Sequence, residues 1–400
     1  MSDRVLGIGV AGLGRAFSLM VPTFTGDPRV KLVAAATRRA EAGAKFAAEF
    51  SAVAYATIAE LCRDPHVDVV YIATPHQLHL EHAREAAANG KHILVEKPMA
   101  LSLAHCRAMI EAASAANVHL IVGHSHSFDA PILKVRALIE KGIYGRVRMI
   151  QAMNFTDFLY RPCRHEELRN EDGGGVIFSQ AAHQIDIVRL LGGGKVQSVR
   201  AATGAWDATR PTEGAYSAML NFEDGAFATA TYSGYAHFDS DEFTNWIGEL
   251  GIAKDSAVYG AARAALAAVK DADTEAAAKS ARSYGGRNDM TLDMRDTSRD
   301  KVAHQHFGFV LVSCDHADLR PLPGGVMVYG DSEQHLDALA PPVIPRVEVI
   351  DELYKAVIFG VAPLHSGVWS LATIEVCLAI LQSAKERREV ALKYQIGIEA

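Results

Sequence analysis

Apolar positions in the first 124 residues fall into two alternating patterns, short unbroken runs and stripes at helical spacing. Val5 to Ala11 is a run ending in Gly12-Leu13-Gly14, followed by a helical stripe to about Phe24. "RVKLVAAATRR" (29–39) reads as a second strand and "RAEAGAKFAAEF" as a helix of good helix formers. Further strands are expected at 67–75, 92–95 and 118–124, with helices at 77–89 and 102–116 between and beside them. Runs with no polar alternation suit strands covered on both faces, and strands alternating with helices over short loops imply a parallel, doubly wound sheet.

The pattern changes after 124. A helix at 130–142, a strand at 145–155 and a helix at 174–193 precede strands that alternate apolar and polar residues. Those lie at 196–206, at 215–236 as a hairpin turning at Asp224-Gly225, and in "GFVLVSC" and "GGVMVYGD". A hairpin requires antiparallel pairing, so the second half reads as α+β with an open, mainly antiparallel sheet. The expected organisation is therefore a Rossmann dinucleotide-binding domain over 1–124 and a substrate-binding and oligomerisation domain over 125–400. Within the latter, 255–303 reads as an insertion, a surface helix to 283 and then a flexible polar loop from 284. A final helix is expected over 367–388.

Composition narrows the partners. The 400 residues carry a formal charge of -7, which disfavours nucleic acid or an anionic membrane as the main partner. Met1-Ser2-Asp3-Arg4 leads straight into the first strand, and no apolar run approaches a membrane span, so a cytoplasmic protein is expected. Five scattered cysteines show no paired metal spacing and read as thiols in a reducing compartment. An open antiparallel sheet with one bare face implies a homo-dimer or homo-tetramer through that sheet.

Gly12-Leu13-Gly14, between a strand and a helix, opens a dinucleotide fingerprint. One glycine makes the tight turn and the next lets backbone approach a pyrophosphate at the helix N-terminus. The third glycine is absent: Phe17 stands at its position and Ala16 is the nearest small residue. The second strand ends without the acid that would bind a ribose 2′-hydroxyl. Thr37 and Arg38 stand there and suit a 2′-phosphate, although the plainer reading leaves the arginines in solvent. Thr37 and Arg38 lean towards NADP, with NAD the alternative.

"ILVEKPMA" (93–100) raises a sharper question, because a buried strand ends in Glu96-Lys97-Pro98. A lysine at the carboxyl edge of a parallel sheet lies where ligands bind in open α/β folds. Its plainer reading is a solvated residue in a tight turn. Together, "GVAGLGRAF", "DVVYIATPHQLHLEHAREAAANGKHILVEKP" and the Gly173-Gly174-Gly175 turn, with seven residues between it and His183, resemble the glucose-fructose oxidoreductase/inositol dehydrogenase (Gfo/Idh/MocA) family. The resemblance is close over 5–128 and looser over 129–236 and the C-terminal helix.

That resemblance implies an NAD(P)-dependent oxidoreductase in which Lys97 exchanges the proton of an alcohol or carbonyl during hydride transfer. It implies that Gly12, Gly14, Arg15 and Ala16 meet the phosphates, Thr37 and Arg38 the ribose, and Thr74, Pro75, His79, Glu96 and Lys97 the rest of the cofactor. It also implies catalysis by His183, but the acid expected four residues earlier is Ser179. Ser179, His183 and Asp186 would share one face of an α-helix. Burial beside a positive nicotinamide would disfavour a charged lysine.

Around these lie His124 and His126 and the arginines Arg161, Arg164 and Arg169. Forked guanidinium groups suit carboxylates, whereas a surface loop is the equally plain alternative. A bare His-x-His is not read as a metal site. "GVAGLGRAFSLMVPTF", "FLYRPCRHEEL" and "VIFSQAAHQIDIVRLLGG" resemble the bacterial phthalate cis-4,5-dihydrodiol (4,5-dihydroxyphthalate) dehydrogenase branch. The resemblance implies an anionic dicarboxylate held by His124, His126, Arg161, Arg164, Ser179 and His183, and NAD as the usual catabolic cofactor. The rival readings are a sugar or cyclitol dehydrogenase, and a redox-neutral NAD-dependent glycosidase.

Overall fold

The computed structural model describes residues 4–289 and 302–398, which form two compact units. The first is built from the described residues of 1–124, 276–297 and 344–371. Its sheet contains β1 (Leu6–Ala11), β2 (Val30–Ala36), β3 (Val53–Tyr55), β4 (Val69–Ile72), β5 (His92–Val95) and β6 (Leu120–Val122). They lie in the order β3-β2-β1-β4-β5-β6, with every pairing parallel. The order reverses between β2 and β4, at the carboxyl end of β1, where a ligand crevice opens in this kind of sheet. All six residues of β1 are buried, which explains their unbroken apolar run.

Two elements here escape a reading of apolar pattern. The edge strand β3 is three residues long and mostly exposed, so it has no apolar face to announce it. The helix Ile58–Arg63 is only six residues long, yet it carries a readable capping box: Thr57 Oγ1 accepts from the Glu60 N–H (3.2 Å) and Glu60 accepts from the Thr57 N–H (3.0 Å).

Two later segments return to this unit, so it is not confined to the chain before 125. Tyr284 is fully buried, its ring 5.2 Å from that of Phe17 and 6.2 Å from that of Phe50. Its hydroxyl donates to Glu49 (2.7 Å). Residues 284–289 are therefore anchored rather than part of a flexible loop, and 290–301 lie outside the described residues. Helix Val347–Phe359 follows; its Tyr354 hydroxyl donates to the Arg4 carbonyl (2.9 Å), and Asp351 pairs with Arg29 (2.6 Å).

The second unit holds a nine-stranded sheet. Its strands are β7 (Val147–Phe155), β8 (Val196–Gly204), β9 (Ala215–Phe222), β10 (Phe227–Ser233), β11 (Phe309–Cys314), β12 (Ala317–Leu322), β13 (Gly325–Gly330), β14 (Gln334–Ala338) and β15 (Val390–Ala391). The order is β14-β13-β12-β11-β7-β10-β9-β8-β15, antiparallel throughout except for the β7–β10 pair.

In β10, Ala228, Ala230 and Tyr232 are buried while Phe227, Thr229 and Thr231 are more exposed, the period of two that gives the sheet one core face. Against that core face lies helix Ala182–Leu191, buried at all ten positions; its Gln184 accepts from the Tyr216 hydroxyl (2.6 Å). The opposite face is open, with polar pairs such as Ser217–Thr231 (3.0 Å) and part-exposed Met219.

The insertion is not one long surface helix. It forms two short helices, Ala261–Ala267 and Ala272–Ser280, broken where Asp271 accepts from the Thr274 N–H (2.7 Å). Glu275 on the second is buried against Arg210 (2.9 Å) and the Cys163 N–H (2.7 Å). Among the described residues, one helix is long and apolar enough to cross a membrane, Gly367–Glu386, and 72% of its most apolar stretch is buried.

Candidate active site

The first unit builds a nucleotide cradle from backbone. Gly12 has φ +94, and a Cβ there would stand 3.0 Å from Thr74 Cγ2 and 3.1 Å from the Ala73 carbonyl oxygen. Only glycine fits both that torsion and that spacing. Helix Arg15–Gly26 begins at Gly14 with no side-chain cap and no acid in its first turn, so no first-turn carboxylate competes with an anion at the positive end of its dipole. Arg15 and Ala16 occupy that first turn. This arrangement fits a dinucleotide pyrophosphate.

At the end of β2, the Thr37 hydroxyl accepts from the Arg39 N–H (3.2 Å) and Arg38 is exposed. Arg39 folds back instead, its Nη2 donating to the Leu13 carbonyl (2.5 Å) and the Tyr284 carbonyl (3.2 Å). The glycine loop is thereby tied to the returning segment. The sequence offers no local sign of this tie.

The β4 and β5 edges are linked by His79. Its Nε2 lies 3.0 Å from the Thr74 carbonyl, beside Pro75, and its Nδ1 lies 3.1 Å from the Pro98 carbonyl. Burial pushes the ring down to about 4, against the pull of those carbonyls, so at neutral pH it donates on one side only. Glu96 accepts from the buried Tyr71 hydroxyl (2.5 Å) and from the His124 N–H. Burial raises the Glu96 carboxyl, opposed by Tyr71, Arg346 and Lys97. Lys97 is half-buried one residue on, with its charge felt by Glu96. His124 is buried at the same sheet edge.

The second unit gathers a cluster from chain segments far apart. His126 and His183 are both buried; their rings stand 4.7 Å apart, and the His126 N–H donates to His183 Nδ1 (3.4 Å). Phe307 packs on both rings, at 5.0 Å and 5.1 Å, and Tyr232 stacks on Phe307 at 6.1 Å. His126 Nδ1 meets Asp129 at 2.7 Å, and its Nε2 lies 3.6 Å from Glu249. Glu249 also stands 3.9 Å from Arg161 Nη1, while Arg161 Nε donates to Asp157 (2.9 Å).

Burial opposes the charge on His126, but Asp129 and Glu249 outweigh it and hold the ring at about 9. Burial likewise opposes the charge on Glu249, yet His126, Arg161 and His306 bring it down to about 2. Arg161 is raised further by Glu249 and Asp157 despite burial. The cluster is a set of fixed charges flanked by aromatic faces.

Other expected residues lie elsewhere. Ile177–Ala181 is wound as a π-helix, so the wider turn rotates Ser179 away from the α-helical register with His183 and Asp186. The Ser179 hydroxyl donates to the Gly175 carbonyl. Asp186 accepts from the Ser127 hydroxyl and from Thr373 (2.7 Å), a structural use. Arg164 is held by Glu166 (3.2 Å) and Glu167 (3.4 Å), and Arg169 by Glu171 (2.9 Å) and Asp172 (3.2 Å), all within their own turns. Of the three arginines, Arg161 is the one that joins the histidine cluster. Asp129, Tyr232, Glu249 and Phe307 were not singled out by sequence reasoning; only Asp129, three residues after His126, offered a spacing to notice.

Comparison with known proteins bears on this geometry. Residues 6–124 match the model described as "Oxidoreductase family, NAD-binding Rossmann fold", and 132–254 match the "GFO/IDH/MocA C-terminal domain". A 1-carboxy-3-chloro-3,4-dihydroxycyclohexa-1,5-diene dehydrogenase of Comamonas testosteroni is 47% identical over 379 residues, 94% of each chain. A solved structure from Bordetella bronchiseptica RB50 is 41% identical with a TM-score of 0.91, covering 97% of this chain and 100% of that one. A levoglucosan dehydrogenase solved with NADH and levoglucosan shares the fold at a TM-score of 0.73 and 18% identity, over 97% of this chain and 99% of that one.

Proposed function

Because the chain belongs to the GFO/IDH/MocA family of NAD(P)-dependent oxidoreductases, we propose that it oxidises a carboxylated cyclohexadiene cis-diol to the corresponding catechol carboxylate. Phthalate cis-4,5-dihydrodiol and singly carboxylated dihydrodiols both belong to this class. The observation that carries the reading is the placement of Arg161 and His126 around one carboxylate, Glu249, with Phe307 packed on His126 and Tyr232 stacked on Phe307. Cations beside aromatic rings suit an unsaturated ring bearing a carboxylate, whereas a neutral sugar offers the cations no charge to bind.

In this reading Gly12, Gly14 and the first turn at Arg15 and Ala16 hold the pyrophosphate, and Thr37 and Arg38 border the ribose. Bound nicotinamide supplies the acceptor for the hydride leaving the ring carbon. Lys97 takes the hydroxyl proton as the carbon–oxygen double bond forms, and Glu96, fixed by Tyr71, sets the position of the turn that carries it. In the resulting hydroxyketone the proton on the neighbouring CH(OH) carbon passes to the carbonyl oxygen by tautomerisation, giving the aromatic catechol and making the oxidation effectively irreversible. His183, held by His126, orients the substrate oxygen. The polar open face of the large sheet supports association of copies through it, as a dimer or tetramer.

The test is reduced-nicotinamide absorbance with NAD or NADP. Singly and doubly carboxylated dihydrodiols are compared with inositol and glucose. A rise confined to the dihydrodiols is expected; a rise confined to the polyols overturns the reading. Sugar release without net reduction would instead select the redox-neutral glycosidase.

A further inference from the structure

We propose that Glu249 is an internal stand-in for a substrate carboxylate, occupying the space between Arg161 and His126 and limiting the site to one carboxylate. The inference rests on the carboxylated-ring reading above and sharpens it.

The observation is a contrast in distance. Each cation has one acid at bonding range, Asp157 on Arg161 Nε at 2.9 Å and Asp129 on His126 Nδ1 at 2.7 Å. Glu249 faces both cations but stands 3.9 Å from Arg161 Nη1 and 3.6 Å from His126 Nε2. Those separations exceed the 2.7–3.2 Å of an N–H···O bond. Its carboxylate thus neutralises charge without forming the short bonds that would fix it. The side chain is 28% exposed, whereas that of Asp129 is 3% exposed.

Its backbone setting is that of a small turn. Asn245 and Trp246 both have positive φ, Ile247 bridges Ala253, and the Gly251 N–H donates to the Gly248 carbonyl (2.8 Å). Glu249 sits at the head of this turn, between glycines at 248 and 251.

Charge then decides what enters. Arg161 and His126 already face Asp157, Asp129 and Glu249, with His306 also acting on Glu249. A ligand carboxylate between Arg161 and His126 would be repelled by Glu249 until that side chain moves aside. Once it does, the ligand can form short charge-assisted bonds with the guanidinium and imidazolium. A second carboxylate would find the other arginines of this loop committed, Arg164 to Glu166 and Glu167, and Arg169 to Glu171 and Asp172. The cluster therefore favours a monocarboxylate over a dicarboxylate.

The experiment measures binding of benzoate, phthalate and uncharged cyclohexanol by calorimetry, with reduced cofactor present. Wild type is compared with Glu249→Gln and Glu249→Ala, and the melting temperature of each variant is checked. Both variants are expected to bind benzoate about tenfold more tightly or better, as removal of a like charge at this range allows. Phthalate is expected to gain more than benzoate, and cyclohexanol to stay unchanged. Benzoate binding equal in wild type and both variants overturns the role of Glu249 while leaving the carboxylate reading standing. Weaker binding in both variants also overturns it and makes Glu249 a support for the cations. Benzoate bound by none of the three proteins overturns the carboxylate reading itself. Should one variant fold poorly, the other decides.

Discussion

The nucleotide cradle and the charged cluster are built on opposite principles. The cradle is local and made of backbone: a strand, Gly12, Gly14 and a helix start, all within the first turn of a parallel sheet. The cluster is made of side chains, with His126 and Asp129 from one segment and Arg161, His183, Glu249 and Phe307 each from another. A shared cofactor needs the same backbone geometry whatever is oxidised. A substrate is selected by charges that can be exchanged without disturbing the fold. The first region therefore reports the family, and under the proposed function the second reports the specificity.

The sharpest way to break this division is to separate chemistry from binding. Lys97→Ala should lower turnover by about a thousandfold, within the usual range for a lost acid/base, while NADH affinity measured by fluorescence stays within about twofold. Turnover like that of wild type would return Lys97 to a plain turn. Next in size, Arg161→Met should raise KM for a carboxylated dihydrodiol by about 10- to 100-fold, the cost of a lost charge-assisted pair, with NADH affinity unmoved. Loss of NADH affinity instead would show that the two regions are not independent.

A third prediction concerns stability. Tyr284→Ala empties a place among Phe17, Phe46 and Phe50 and should cost about 3–5 kcal/mol by denaturant titration. Tyr284→Phe keeps the ring and loses the bond to Glu49, about 1 kcal/mol. Equal losses in the two would mean that the hydroxyl rather than the ring anchors the segment.

The smallest effect is in pH. His126 is raised to about 9 from an ordinary 6.5, so its contribution is complete below 6.5 and is lost as pH rises through 9. Glu249 is depressed to about 2, so its contribution is present above 4.5 and is lost as pH falls towards 2. Benzoate affinity should accordingly decline between pH 7 and 10 in wild type, and a flat profile would remove His126 from the anion site.

Much of the first region was legible because its signals are short-range. The strand-glycine-helix junction and the Glu96-Lys97-Pro98 turn each lie within about ten residues. The edge strand at 53–55 was not, since exposed residues give no apolar run, although Thr57 and Glu60 marked the helix beside it. β14 hid for the same reason: Gln334, His335, Leu336 and Ala338 are all exposed. The returning segment at Tyr284 was invisible because nothing local tells a tyrosine that it will be buried against Phe17, more than two hundred positions away.

In the second region His126, His183 and Arg161 stood out by type, whereas Glu249 and Phe307 acquire meaning only from where the chain puts them. Periodicity also misled at Ser179, where a π-turn replaces the α-helical register.

The most direct test of the central claim is the ratio of kcat/KM for a singly carboxylated cyclohexadiene cis-diol to that for the same ring without its carboxylate. A preference of about a hundredfold or more is predicted, the worth of two desolvated charge-assisted bonds. Equal values for the two rings would contradict the account and leave Arg161 and His126 as structural charges.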